Sequence, residues 1–124
     1  FRLMQYGTNN QSLLRGLEAA IDFMNQVGPE RVEKRVRSLG SYLRDGLSKI
    51  PRVVLRTPTH PELAAGITRY GIEGLEGTKL QDELWNRRRI RVRGAPLVRQ
   101  SCHIYNDFTQ LDETLAVVRG LARG

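Results

Sequence analysis

Apolar residues recur three and four positions apart at Leu13, Leu14, Leu17, Ala20, Ile21, Met24 and Val27, which predicts an amphipathic helix. Thr8 and Asn9 can cap its start, and Gly28 followed by Pro29 closes one helix and opens the next. From Pro29 to about Ile50, the residues Val32, Val36, Leu39, Leu43 and Leu47 fall on one face of a second long helix, which Pro51 ends. The period then changes. Val53-Val54-Leu55 is a short apolar run, Thr57-Pro58-Thr59-His60-Pro61 is a loop with two prolines, and Ala65 to Tyr70 reads as a strand followed by a turn bounded by Gly71 and Gly74. Gly77 to about Arg87 predicts a short helix presenting Leu80, Leu84 and Trp85. Ile90 to Arg93 alternates as a strand, Gly94-Ala95-Pro96 turns the chain, and Leu97 to Tyr105 alternates again. Asp107 and Gln110 form a capping-box pattern for a last helix, with Phe108, Leu111, Leu115, Val118 and Leu121 facing inward.

The element order is therefore αα-ββ-α-ββ-α, and short connections between neighbouring strands favour antiparallel pairing. The expected fold class is α+β: a small, mostly antiparallel sheet with helices packed on one face, preceded by two long helices. A chain of 124 residues without internal repeats argues for a single domain, residues 1–124. No apolar run approaches the ~20 residues that span a bilayer, so no membrane partner is expected. The start at Phe1, without an initiator methionine, points to a piece of a longer protein.

Charge complicates this picture only slightly. The formal net charge is +7, and all basic residues except Lys34, Lys49 and Lys79 are arginine. Arginine excess over lysine can follow from genome composition, and the alternation of Glu30, Arg31, Glu33, Lys34 and Arg35 reads as a solvated helix face. The alternative is a basic nucleic-acid-binding module built on Arg87-Arg88-Arg89, Arg91 and Arg93, or a dimerisation module without catalysis. The 6% aromatic content and the lack of a helix-turn-helix or RNA-binding aromatic pattern weigh against nucleic acid. A single cysteine, Cys102, excludes an internal disulfide and fits a reducing, cytoplasmic setting; with His60 and His103 the only histidines, no metal site is expected.

The last strand carries most of the chemistry. Val98, Gln100, Cys102 and Ile104 fall on one predicted face, and Arg99, Ser101, His103 and Tyr105 on the other. A guanidinium fixed on a strand suits a bidentate grip on a carboxylate or phosphate. A sheet with one wet face would give the same alternation without any ligand.

The segment Val98-Arg99-Gln100-Ser101-Cys102-His103-Ile104-Tyr105-Asn106, running into an amphipathic helix, resembles the closing R-x-S-x-x-x-Y-N signature of class V pyridoxal-phosphate (PLP) enzymes, a family that includes cysteine desulfurases, isopenicillin N epimerase and related lyases. Gln5-Tyr6-Gly7-Thr8-Asn9-Asn10 and the helix after it are similar to the family's E-x-G-T turn, and Pro61-Glu62-Leu63 through Ile67 resembles the middle of its C-terminal domain. The three matches occur in order and cover nearly the whole chain. They imply a C-terminal small domain whose large PLP-binding domain lies upstream, in an enzyme that forms a homodimer and acts on an amino acid by epimerisation, C–S lysis or transamination. Arg99 matches the arginine that binds the substrate α-carboxylate, with His103 on the same predicted face as a further substrate-binding residue. Gly7 and Thr8 match the turn that reaches the PLP phosphate held by the neighbouring subunit, as backbone N–H groups at a helix N-terminus would allow.

No catalytic residue is expected within this chain, because the Schiff-base lysine of the family belongs to the large domain and none of the three lysines here has a Ser-His-Lys setting. The sequence also departs from the family. Gln5 stands where an acid precedes the Gly-Thr turn, and Arg2 is one position out of register with the family's arginine. No cysteine lies between Gly7 and Arg99, the stretch from Ile90 to Pro96 is short for a desulfurase loop, and Cys102 falls on the packed face. These departures disfavour a persulfide relay.

Overall fold

A computed structural model describes residues 10–124, which divide into two compact units, residues 10–32 and 33–124. In the first unit, helix α1 runs from Gln11 to Val27. Asn10 caps it, its side chain accepting from the Leu13 N–H at 3.1 Å, so the cap falls just past the expected Thr8 and Asn9, which lie outside the described residues. Gly28, at φ +95°, closes the helix by donating its N–H to the Met24 carbonyl at 3.0 Å, and Pro29 starts the next one as expected. α1 buries no side chain; Leu13, Leu17 and Ile21 form a stripe that is half exposed or more.

Helix α2 (Pro29–Ser48) continues into the second unit, where Leu39, Leu43 and Leu47 are fully buried. The chain then alternates strands and helices: β1 (Val53–Leu55), a 3-10 turn (Pro61–Leu63), β2 (Ile67–Ile72), α3 (Gly77–Arg88), β3 (Val98–Ser101) and α4 (Phe108–Arg123). The sheet is antiparallel throughout, in the order β1-β2-β3, with Val53 opposite Ile72 and Arg69 opposite Arg99. One face is covered. Tyr70, Ile72 and Val98 from the sheet join Leu43 and Leu47 of α2, Leu80 and Leu84 of α3, and Leu115 and Val118 of α4 in one core. The α+β class with a small antiparallel sheet is thus the observed one.

Three predicted strands differ from the sequence reading, each for a reason of hydrogen bonding or packing. β2 begins at Ile67 rather than Ala65, because the Ala65 carbonyl accepts from the buried Arg44 guanidinium of α2 at 2.8 Å. It extends through Gly71, where the missing side chain leaves room for that of Leu97. Ile90 to Arg93 forms no full strand: the Ile90 N–H closes α3 by donating to the Leu84 carbonyl, and the Gly94 N–H donates to the Gln81 side chain at 2.7 Å. Held to α3 at both ends, the segment makes one bridge, Arg93 to Arg99. β3 stops at Ser101 instead of Tyr105, because the His103 N–H donates to the Asn106 side chain at 2.8 Å and the Asn106 N–H returns to the His103 carbonyl at 3.0 Å. The expected capping box of α4 forms, with Asp107 and Gln110 bonding reciprocally.

Candidate functional site

The open face of the sheet is where the polar residues of β2 and β3 collect. Strand alternation buries Thr68, Tyr70, Val98 and Gln100 and leaves Ile67, Arg69, Arg99 and Ser101 exposed. Arg69 and Arg99 are directly opposite one another. On the outer side of β3, Arg99 and Arg93 exchange both backbone hydrogen bonds, at 3.1 and 2.7 Å. On the other side, the Arg56 N–H donates to the Arg69 carbonyl at 2.9 Å, which continues the register one step beyond Leu55 opposite Tyr70. Residues directly opposite in antiparallel strands project to the same face. Arg56, Arg69, Arg99 and Arg93 therefore form a row across that face, about 14 Å long at the usual strand spacing. All four are exposed. The ion pairs among the described residues are Arg15–Glu18, Arg37–Glu33 and Arg87–Glu83, and none involves the row.

The covered face beneath is built of satisfied polar groups. The Tyr70 hydroxyl donates to the Gln100 side-chain oxygen at 2.9 Å, and the Gln100 amide donates to the Thr114 hydroxyl at 3.1 Å. Burial pushes the Tyr70 phenol far above its usual range. Cys102 is buried too, and desolvation raises its thiol, with the nearby Arg44 charge pulling partly the other way. A buried, protonated thiol is a packing group and a poor nucleophile. Thr68 is the exception on this face: its buried hydroxyl has no partner.

Of the residues singled out from the sequence, Arg99 stands free on β3, and Gly7 and Thr8 lie outside the described residues. His103 lies beyond the end of the strand, in the turn closed by Asn106, with its ring stacked on Tyr105 at a centroid separation of 4.4 Å. Asn106 is locked further: the Arg35 guanidinium donates to its carbonyl at 2.7 Å and its amide donates to Gln110 at 2.9 Å. The Tyr-Asn end of the motif thus builds the turn that sets the length of β3. Arg69 and Arg56 were not picked out by sequence; alternation around Thr68-Arg69-Tyr70 gives the face of Arg69, but its place beside Arg99 is a matter of register.

The arginine run that suggested nucleic acid is partly committed within the chain. Arg87 pairs with Glu83, while Arg89 and Arg91 lie over the Trp85 ring at 5.4 and 4.9 Å. A cleft of about 420 Å³ opens beside them at the outer edge of β3, lined by Arg89, Arg91, Ser101, Tyr105 and Gln110 among others. No described helix is long and apolar enough to cross a membrane.

Comparison with known proteins places this arrangement. The sequence model of the family described as aminotransferase class-V matches residues 2–119. Isopenicillin N epimerase of Amycolatopsis lactamdurans is 31% identical over 123 residues, a match covering 94% of this chain and 31% of that protein. The Streptomyces clavuligerus enzyme of the same name is 32% identical over 99 residues, covering 75% of this chain and 25% of its own length. The chain thus spans less than a third of the length of these relatives. Among solved structures, the apo cysteine desulfurase of Thermococcus onnurineus NA1 superposes with a TM-score of 0.87 at 25% identity, over 97% of this chain and 33% of that one. The cystine C-S lyase C-DES, in complex with its reaction product cysteine persulfide, shares the fold at a TM-score of 0.71 and 22% identity, over 84% of this chain and 28% of that one.

Proposed function

The chain belongs to the aminotransferase class-V family, and from that premise we propose that it is the C-terminal small domain of a pyridoxal-phosphate enzyme in which Arg99 binds the α-carboxylate of an amino-acid substrate. The observation that carries this reading is the state of Arg99: a guanidinium on a rigid strand, exposed, without a carboxylate partner among the described residues, in the motif position the family uses. The fold neighbours include C-DES, one structure of which has glycine covalently linked to the PLP cofactor.

The described residues fit the substrate side of such a site. Lys34, Lys49 and Lys79 are exposed, so the lysine that holds the cofactor is assigned to the large domain and this chain alone is inactive. Gly7 and Thr8 are assigned to the cofactor phosphate across a homodimer. The apolar stripe of α1 supports a covered position in the whole protein, against the large domain or a second subunit. Bound PLP supplies an electron sink that stabilises negative charge developing at the substrate Cα.

Arg99 contributes orientation. A bidentate grip on the α-carboxylate fixes rotation about the substrate's Cα–carboxyl bond, and so decides which Cα bond is presented to the reacting face. The short β3, ended by the Asn106 turn, lies between β2 and the Arg93 bridge, and both backbone hydrogen bonds of Arg99 are made to Arg93, which holds the guanidinium stem in place. His103 is assigned to the rim of the same substrate site. Epimerisation, C–S lysis and transamination all use this clamp, since each begins with proton loss at Cα. A persulfide relay is not part of the proposal, because Cys102 is buried and its thiol is held protonated. In the full-length enzyme, Arg99→Ala is expected to raise KM and to lower kcat/KM by at least about tenfold, or ~1.4 kcal/mol. Unchanged steady-state kinetics would remove Arg99 from the site.

A further inference from the structure

The row Arg56–Arg69–Arg99–Arg93 holds more cationic capacity than one α-carboxylate uses. A single bidentate guanidinium satisfies both oxygens of a carboxylate, and in the reading above Arg99 makes that contact alone. Arg69 nevertheless stands beside it in the closest pairing an antiparallel ladder provides. The Arg69 N–H and carbonyl are turned toward Thr57 and Arg56, at 2.7 and 2.9 Å, while those of Arg99 are turned toward Arg93. Arg69 and Arg99 are thus a non-hydrogen-bonded pair, the kind in which Cα atoms approach to about 4.5 Å and side chains run closest.

Like charges placed directly opposite destabilise a sheet. Several arginines elsewhere in the unit are engaged: Arg35, Arg37, Arg44 and Arg52 donate to main-chain carbonyls, and Arg87 to Glu83, whereas Arg88, Arg119 and Arg123 make no such contact among the described residues. The side chains of Arg56, Arg69, Arg93 and Arg99 make no hydrogen bond or ion pair among the described residues, although all stand on one face. A repulsive row without internal counter-charges is complementary to more than one negative group, held a few carbons apart.

Resting on the assignment of Arg99 to the α-carboxylate, we propose that the amino-acid substrate carries a second anionic group, a carboxylate on its side chain, and that Arg69 binds it. Arg56 and Arg93 extend the positive field on either side and take no direct part.

The test uses the full-length, cofactor-loaded enzyme and the isosteric probes L-glutamate and L-glutamine, with L-aspartate and L-asparagine as a shorter pair, each titrated by calorimetry. Within a pair the members differ in side-chain charge. In at least one pair the charged member is expected to bind at least about tenfold more tightly than the neutral one. Arg69→Gln should abolish that preference while leaving the neutral member's affinity unchanged, and Arg69→Lys, which keeps the charge, should retain part of it. Equal binding of the members in both pairs, or binding of none, overturns the proposal. So does an Arg69→Gln enzyme that keeps the preference, or one that loses affinity for both members alike, as it would if Arg69 shared the α-carboxylate, held the cofactor phosphate or served folding. Arg99→Gln distinguishes the two readings. It should weaken both members of a pair equally; if it weakens neither, the α-carboxylate assignment fails, while a preference erased by Arg69→Gln would still place an anion on Arg69.

Discussion

On the covered face of the sheet, polar groups are enclosed and paired, Tyr70 to Gln100 and Gln100 to Thr114, and just before β2 the Ala65 carbonyl accepts from the Arg44 guanidinium. On the open face, one residue along the same strands, Arg69 and Arg99 stand side by side with no partner among the described residues. The residues that differ are neighbours in sequence, so the contrast arises from alternation alone. One face uses polarity to fix a unique core; the other keeps charge available. Stability and ligand binding should therefore be separable by substitutions only one residue apart.

The largest effect on stability is expected deep in the covered side. Leu43→Ala removes a fully buried side chain between α2 and the sheet and should cost about 2–5 kcal/mol in urea unfolding. Loss of less than about 1 kcal/mol would mean that the helix face collapses onto the sheet far more readily than a close-packed core allows. Next comes the polar bridge. Gln100→Leu leaves the buried Tyr70 hydroxyl and Thr114 without their shared partner and should cost about 1–3 kcal/mol by the same measurement. The smallest effect has the opposite sign. Thr68→Val replaces the one buried hydroxyl that lacks a partner among the described residues by an isosteric methyl, and should raise stability by about 1 kcal/mol, read as a higher melting temperature. A decrease would show that the Thr68 hydroxyl is satisfied in solution.

How much of this was legible in the sequence follows the range of the interactions. The helices were, because period and caps are local: Gly28-Pro29 and the Asp107–Gln110 box did what their chemistry predicts. The strand ends were not, because they are decided by distant partners. Arg44 draws the Ala65 carbonyl toward α2, and Gln81 holds Gly94, leaving Ile90 to Arg93 a single bridge. The alternation from Leu97 to Tyr105 broke after Ser101 because Asn106, itself held by Arg35, folds the chain back on His103. Arg99 was visible through its motif. That Arg56, Arg69 and Arg93 stand beside it was not, since they meet it only through register.

The central claim concerns one guanidinium and one carboxylate, and a double-change cycle on the full-length enzyme tests that pair most directly. Substrate and its α-carboxamide analogue are each measured with the wild-type enzyme and with Arg99→Ala. Each single change should lower kcat/KM by at least about tenfold, and making both together should cost little more than making either one. If the two losses instead multiply independently, Arg99 does not contact the α-carboxylate, and the functional assignment of the open face is contradicted.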